Sequence, residues 1–280
     1  MKNTLLTFLL LCVTFTSFSQ SLQEKFQRAK IYYSDSQQLS QLESLGVAVD
    51  HGKHKKGHFI ISDFSTKELT IARDYGFKLE VLIDDLEQHF LTQNNLRVPL
   101  KNLECAALSE TYQTPVHFND PAGSMGGYFT YQEVLDELDQ MKALYPNLIT
   151  TKSNISTFLT QGQPDNSVTP SIGGNGIKWV KISDNPDASE PEPEILYTAI
   201  HHAREPMSLH QLIFYMWYLL ENYETDTEVQ SIVNNTELYF VPVVNPDGYL
   251  YNEKTNPNGG GFWRKNRRNN GNGTFGVDNN

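Results

Sequence analysis

The stretch "LYTAIHHAREPMSLHQL", residues 196–212, decides how the rest of the chain is read. Its first five residues form an apolar, strand-like run, and the next five hold two histidines, an arginine and a glutamate. Pro206 follows, and proline is favoured at the first position of a helix, where its missing N–H costs nothing. The pattern predicts a strand over 195–200 that ends just before His201, and a helix starting near Pro206. His202 and Glu205 then lie on the turn at the carboxyl end of a sheet strand, where open α/β folds bind ligands. A turn brings residues three apart onto one side, so an imidazole and a carboxylate can converge on one cation. That donor pair suits zinc. A solvated loop explains the same spacing, with Glu205 favoured by the positive end of the following helix. H-x-x-E is a common pattern, and spacing alone leaves the two readings level.

After Pro206 the apolar positions are Leu209, Leu212, Ile213, Met216, Trp217 and Leu220, the spacing of a half-buried helix. "ELYFVPVV" then reads as a strand covered on both faces, because its apolar run is nearly continuous. Strand, helix and strand at this spacing make a βαβ crossover, so the sheet is at least partly parallel. Upstream, Thr130 and Glu133 form a capping box at the start of "TYQEVLDELDQMKALYP". Val134, Leu138, Met141 and Tyr145 mark one face of that helix, and Pro146 follows its end. "GIKWVKIS" reads as a further strand, and "TQGQPDNSVTPSIGGNG" as a surface loop without periodicity. The expected fold class is α/β, a mixed sheet flanked by helices.

The chain has 280 residues, 39% of them hydrophobic, enough for one large domain and a small one. Its formal net charge of -11 argues against nucleic acid and anionic membrane surfaces as partners. Residues 1–20 carry Lys2, an apolar run over 5–13 and small residues at Ser17 and Ser19, the pattern of a secretory signal cleaved near Ser19 or Gln20. The run is too short to span a bilayer. The expected product is secreted or periplasmic, with no membrane attachment after removal of the signal. Only Cys105 would then remain, so stability must come from the core and not from an internal disulfide.

Residues 24–90 read as a separate α+β unit in the order β-α-β-β-α-β, which suggests a ferredoxin-like arrangement. "AKIYY", "VAVD", "HFIISDF" and "KLEVLID" are its strands; Ser65 and Glu68 cap its second helix. His51, His54 and His58 lie in its central turn among lysines and glycine, which suits an exposed turn better than a metal site. Residues 91–127 read as a polar, irregular linker punctuated by Pro99, Pro115 and Pro121.

"HHAREP", "NPDGY", "WRKNRR" and "GVDNN", in this order, resemble the zinc carboxypeptidases of the M14 metallopeptidase family. The resemblance extends from Tyr128 to the end of the chain and includes "YFTYQEVLDELDQMKALYP", the helix that opens the family's catalytic domain. It implies zinc as cofactor, held by His202 and Glu205 as two of three protein ligands. It implies that Arg204 binds substrate beyond the scissile bond, and that Asn280 helps hold the substrate's terminal carboxylate. Arg264 matches the arginine that polarises the scissile carbonyl and stabilises the oxyanion, a task suited to a permanently charged guanidinium. His201 falls outside the motif and reads as packing or as support for a ligand. Lys265, Arg267 and Arg268 read as a solvated basic loop.

The family's third ligand, its tyrosine, its general-base glutamate and its carboxylate-binding arginine all fall later than "GVDNN". The expectation is therefore the front part of a secreted zymogen, with residues 24–90 as prodomain and 128–280 as the first part of a catalytic domain. By itself this part would be inactive. The parent would be a monomeric metallocarboxypeptidase acting on peptide and protein C-termini. The competing readings are an M14-like amidase acting on cell-wall or isopeptide substrates, and a non-catalytic peptide-binding relative.

Overall fold

The computed structural model describes residues 24–96, 113–118, 124–162, 170–271 and 274–279. The signal-like residues 1–20, Cys105, most of the 91–127 stretch and Asn280 lie outside the described residues. The chain divides into two compact units after Leu82. No helix among the described residues is long and apolar enough to cross a membrane.

The first unit contains β1 (Phe26–Tyr32), α1 (Ser36–Ser44), β2 (Lys53–Lys55), β3 (Phe59–Ser65), α2 (Thr66–Asp74) and β4 (Leu79–Ile83). Its sheet runs β2-β3-β1-β4, with β3 antiparallel to both β1 and β2. Asp35 caps α1 by accepting from the Gln38 N–H, and Ser65 and Glu68 close a reciprocal box on α2. Ala29, Ile31, Leu42, Ile60, Phe64 and Leu69 form its core. One expected strand moves. "VAVD" is not paired; β2 forms from Lys53–Lys55, and Val47 and Val49 are instead buried in the core from an irregular segment. His51, His54 and His58 do not come together as a cation-holding group among the described residues.

The second unit opens earlier than the sequence suggests. Helix α3 (Leu86–Leu96) runs through the start of the expected linker, so residues 91–96 are helical, not irregular. The Asp85 carboxylate accepts from the Gln88 N–H at 3.0 Å, as a helix N-cap does. Phe90 stacks on Phe262 at 5.9 Å, and the Asn256 amide donates to Glu87 at 3.2 Å, which ties α3 to the second unit. The division between the two compact units thus lies ahead of α3.

The remaining elements are α4 (Tyr131–Leu144), β5 (Ser153–Asn154), β6 (Lys178–Ile182), β7 (Glu194–Thr198), α5 (Pro206–Asn222), α6 (Thr227–Val233), β8 (Glu237–Val241) and α7 (Pro246–Thr255). The sheet order is β5-β6-β8-β7; β7 and β8 are parallel, and β6 is antiparallel to β8. The crossover from β7 through α5 and α6 to β8 is the βαβ unit that the apolar spacing predicts. Leu209, Ile213, Met216, Trp217 and Leu220 of α5 are buried with Val134, Leu138 and Met141 of α4 and with Val180, Leu238 and Phe240 of the sheet. "NPDGY" begins helix α7, with Asn245 accepting from the Gly248 N–H and Pro246 in the first turn.

Candidate metal centre

The turn between β7 and α5 is held in an unusual backbone shape. Ile200 has φ 51°, a conformation that costs energy in a β-branched residue. It is fixed from both sides. Its N–H donates to Ser208 Oγ at 3.2 Å, and its carbonyl accepts from the Asn245 N–H at 3.0 Å. Ser208 Oγ donates in turn to the Glu205 carbonyl at 2.8 Å. The result reverses the chain directly after the strand and turns residues 202 and 205 toward one another.

His202 is buried at 8% exposure, whereas Glu205 is exposed. His202 Nδ1 lies 3.1 Å from each carboxylate oxygen of Glu205. Two donors on a tetrahedral zinc, each about 2.1 Å from the ion, stand roughly 3.4 Å apart, so this spacing is close to that of a shared ion. His202 Nε2 is buried without a hydrogen-bond partner and lies 3.3 Å from Asp278 Oδ1. The other oxygen of Asp278 accepts from Arg264 Nε at 2.7 Å. Arg264 is 6% exposed, and its Nη1 approaches Glu205 Oε1 at 3.6 Å. One imidazole, two carboxylates and one guanidinium thus share a single cluster. An imidazole nitrogen and a carboxylate converging beside a buried polar support fit zinc.

Asp278 lies within "GVDNN", where neither residue type nor spacing marks it. Its signal is visible only in three dimensions, where its two oxygens divide between the imidazole and the guanidinium. Arg204 is half-buried on the same turn. His201 is exposed and sits 2.9 Å from Thr198 Oγ1, so it does not pack inside. His210 stays away from the cluster, against the rings of Phe118, Tyr128 and Phe129. Arg267 is not a solvated charge. Its guanidinium lies 3.7 Å from the Tyr251 ring centroid, 4.3 Å from Trp263 and 5.1 Å from Phe275, an arrangement favoured by the ring quadrupoles.

The family model described as zinc carboxypeptidase, Peptidase_M14, matches residues 136–280. A zinc carboxypeptidase of Saccharothrix mutabilis subsp. capreolus is 31% identical over 202 residues, covering 69% of this chain and 42% of that protein. Carboxypeptidase A2 of Rattus norvegicus is 30% identical over 152 residues, covering 54% of this chain and 31% of that one. The chain spans less than half the length of these relatives. The crystal structure of carboxypeptidase A from Helicoverpa armigera superposes with a TM-score of 0.56 at 18% identity, covering 92% of this chain and 57% of that one. At that identity the likeness is one of fold.

Proposed function

The chain belongs to the zinc carboxypeptidase family, and from that premise we propose that it supplies one part of a metallocarboxypeptidase that releases C-terminal residues from peptides. The observation that carries the proposal is the convergence of His202 Nδ1 on both oxygens of Glu205, at 3.1 Å each, with Arg264 beside them. His202 and Glu205 would hold the zinc. A catalytic zinc takes three protein ligands and a water, so the proposal assigns the third to a residue outside the described set. When bound, zinc lowers the pKa of its water and polarises a carbonyl.

The chain's own residues have distinct tasks in this reading. His202 presents Nδ1 to the ion while Asp278 stands at its other nitrogen, a support that orients a ligating ring and raises its basicity. Arg264, with its Nε on Asp278, aims a permanent positive charge toward the place where the scissile carbonyl becomes an oxyanion. Arg204, half-buried on the ligand turn, binds substrate past the scissile bond, and Asn280 helps hold the terminal carboxylate. We propose too that residues 1–20 direct export and that residues 24–90 act as a prodomain.

The test is metal content. Glu205→Ala in the full-length protein should lose zinc on dialysis and lose hydrolysis of C-terminal residues together. Unchanged zinc stoichiometry by elemental analysis would refute the assignment.

A further inference from the structure

Two segments must stay in register for the proposed chemistry: the turn that carries His202 and Glu205, and the stretch that carries Arg264. A single buried carboxamide joins them. Asn252 on α7 is 1% exposed. Its Nδ2 donates to the Ala203 carbonyl at 2.9 Å and to the Trp263 carbonyl at 2.8 Å. Its Oδ1 accepts from the Trp263 N–H at 2.9 Å. Ala203 directly follows His202, and Trp263 directly precedes Arg264. The two segments also meet directly, through the Ala203 N–H and the Arg264 carbonyl at 3.0 Å and through Arg264 Nη1 and Glu205 Oε1 at 3.6 Å.

The surroundings are shaped for this contact. A Cβ on Gly248 would stand 2.8 Å from Ala203 Cβ and 2.5 Å from the Lys265 carbonyl oxygen. A Cβ on Gly261 would stand 2.6 Å from Asn252 Oδ1. Glycine at both places lets α7 approach the ligand turn and the arginine segment together. Both Nδ2 donors and the Oδ1 acceptor are used, and an apolar side chain at 252 would strand two carbonyls and one N–H without partners.

We propose that Asn252 is a positioning residue that sets the distance between the metal-ligand turn and Arg264. The inference rests on the zinc carboxypeptidase reading and deepens it. Asn252 touches neither metal nor substrate in this scheme; it acts through His202 and Arg264.

The experiment compares wild type, Asn252→Ala, Arg264→Ala and the double variant in the zinc-loaded, full-length protein. Asn252→Ala should lower kcat about 100-fold, since small misplacements of a reacting group cost that much. KM should stay within about twofold. Zinc affinity, read by competition with a chelator, should weaken roughly 10–100-fold, the range seen when a ligand's support is removed. The double variant should be within about twofold of Arg264→Ala alone, because groups that act as a unit are not additive. Fully multiplying losses, or a kcat and zinc affinity within about twofold of wild type in Asn252→Ala, would overturn the proposal. If Arg264→Ala has no effect on turnover, the functional reading fails, and zinc affinity in Asn252→Ala still decides the brace. If Asn252→Ala does not fold, Asn252→Asp takes its place with the same thresholds. It keeps the shape and the acceptor for Trp263 but loses both donors.

Discussion

At the scale of single residues, the chemistry concentrates where charges are shared. Asp278 is the clearest case, because its two oxygens face two different partners: His202 Nε2 at 3.3 Å and Arg264 Nε at 2.7 Å. Asp278→Asn keeps the size and removes the charge that faces both. We expect zinc affinity to fall about 10–100-fold, as is usual when a carboxylate behind a ligating histidine is removed. Chelator competition on the full-length protein checks this, and an unchanged affinity would reduce Asp278 to a partner of Arg264 alone. The meeting of His202 with Glu205 was legible in the sequence because a turn brings residues three apart onto one side. Asn252 was not. An asparagine within "NPDGYLYN" carries no mark of its burial, and its two partner residues, Trp263 and Ala203, are 11 and 49 residues away in the chain.

At the scale of elements, helix starts were legible because capping is local. The boxes Ser65/Glu68 and Thr130/Glu133 form as spacing predicts. Helix α7 is less legible, because "NPDG" also fits a turn and the helix depends on buried contacts made by its first turn. Asp247, 2% exposed, accepts from Thr160 Oγ1, the Gly162 N–H, the Gly173 N–H and Asn175 Nδ2, each at 2.9 Å. It pins both flanks of "TQGQPDNSVTPSIGGNG". Asp247→Ala would leave those donors short of an acceptor. It should cost about 2–3 kcal/mol, since a hydrogen bond to a charged group contributes about 1.5–3 and partial rehydration limits the sum. Urea unfolding measures the loss, and a change under about 0.5 kcal/mol, the range of an ordinary surface substitution, would show that the loop does not depend on Asp247.

At the scale of the whole molecule, stability should respond to pH through buried acids. Glu137 is buried on α4, accepts from Trp217 Nε1 at 2.5 Å, and has its carboxyl pushed up by burial and by Glu133 and Asp136. A raised folded value means that its contribution is full below the unfolded value, near pH 4, and is lost as pH rises through the folded one. Glu137→Gln keeps an acceptor for Trp217 and removes the buried charge. Its melting temperature should exceed wild type at about pH 8 and converge with it near pH 4. An equal shift at both pH values would exclude a charge effect. The division into two units leads to a further expectation. Limited proteolysis of the full-length precursor should cut first in the proline- and glycine-punctuated stretch between α3 and α4, and activity should rise. Identical activity before and after that cut would refute an inhibitory role for residues 24–90.

Several features of this protein follow from sequence by itself. The capped starts of α2 and α4 and the pairing of His202 with Glu205 on one turn rest on interactions between residues close in the chain, and the crossover from β7 to β8 is marked by the apolar spacing of α5. Periodicity, capping and motif spacing record such interactions directly. Tertiary structure alone decided the rest. It extended α3 into the expected linker, moved β2 to Lys53–Lys55, and enclosed Arg267 among Tyr251, Trp263 and Phe275. It also placed Asp278 between a histidine and an arginine and set Asn252 across two segments. The placements of Asp278 and Asn252 depend on a polar or charged group finding its partner far along the chain. Burial makes that partner necessary, and only the folded chain determines which residue it is.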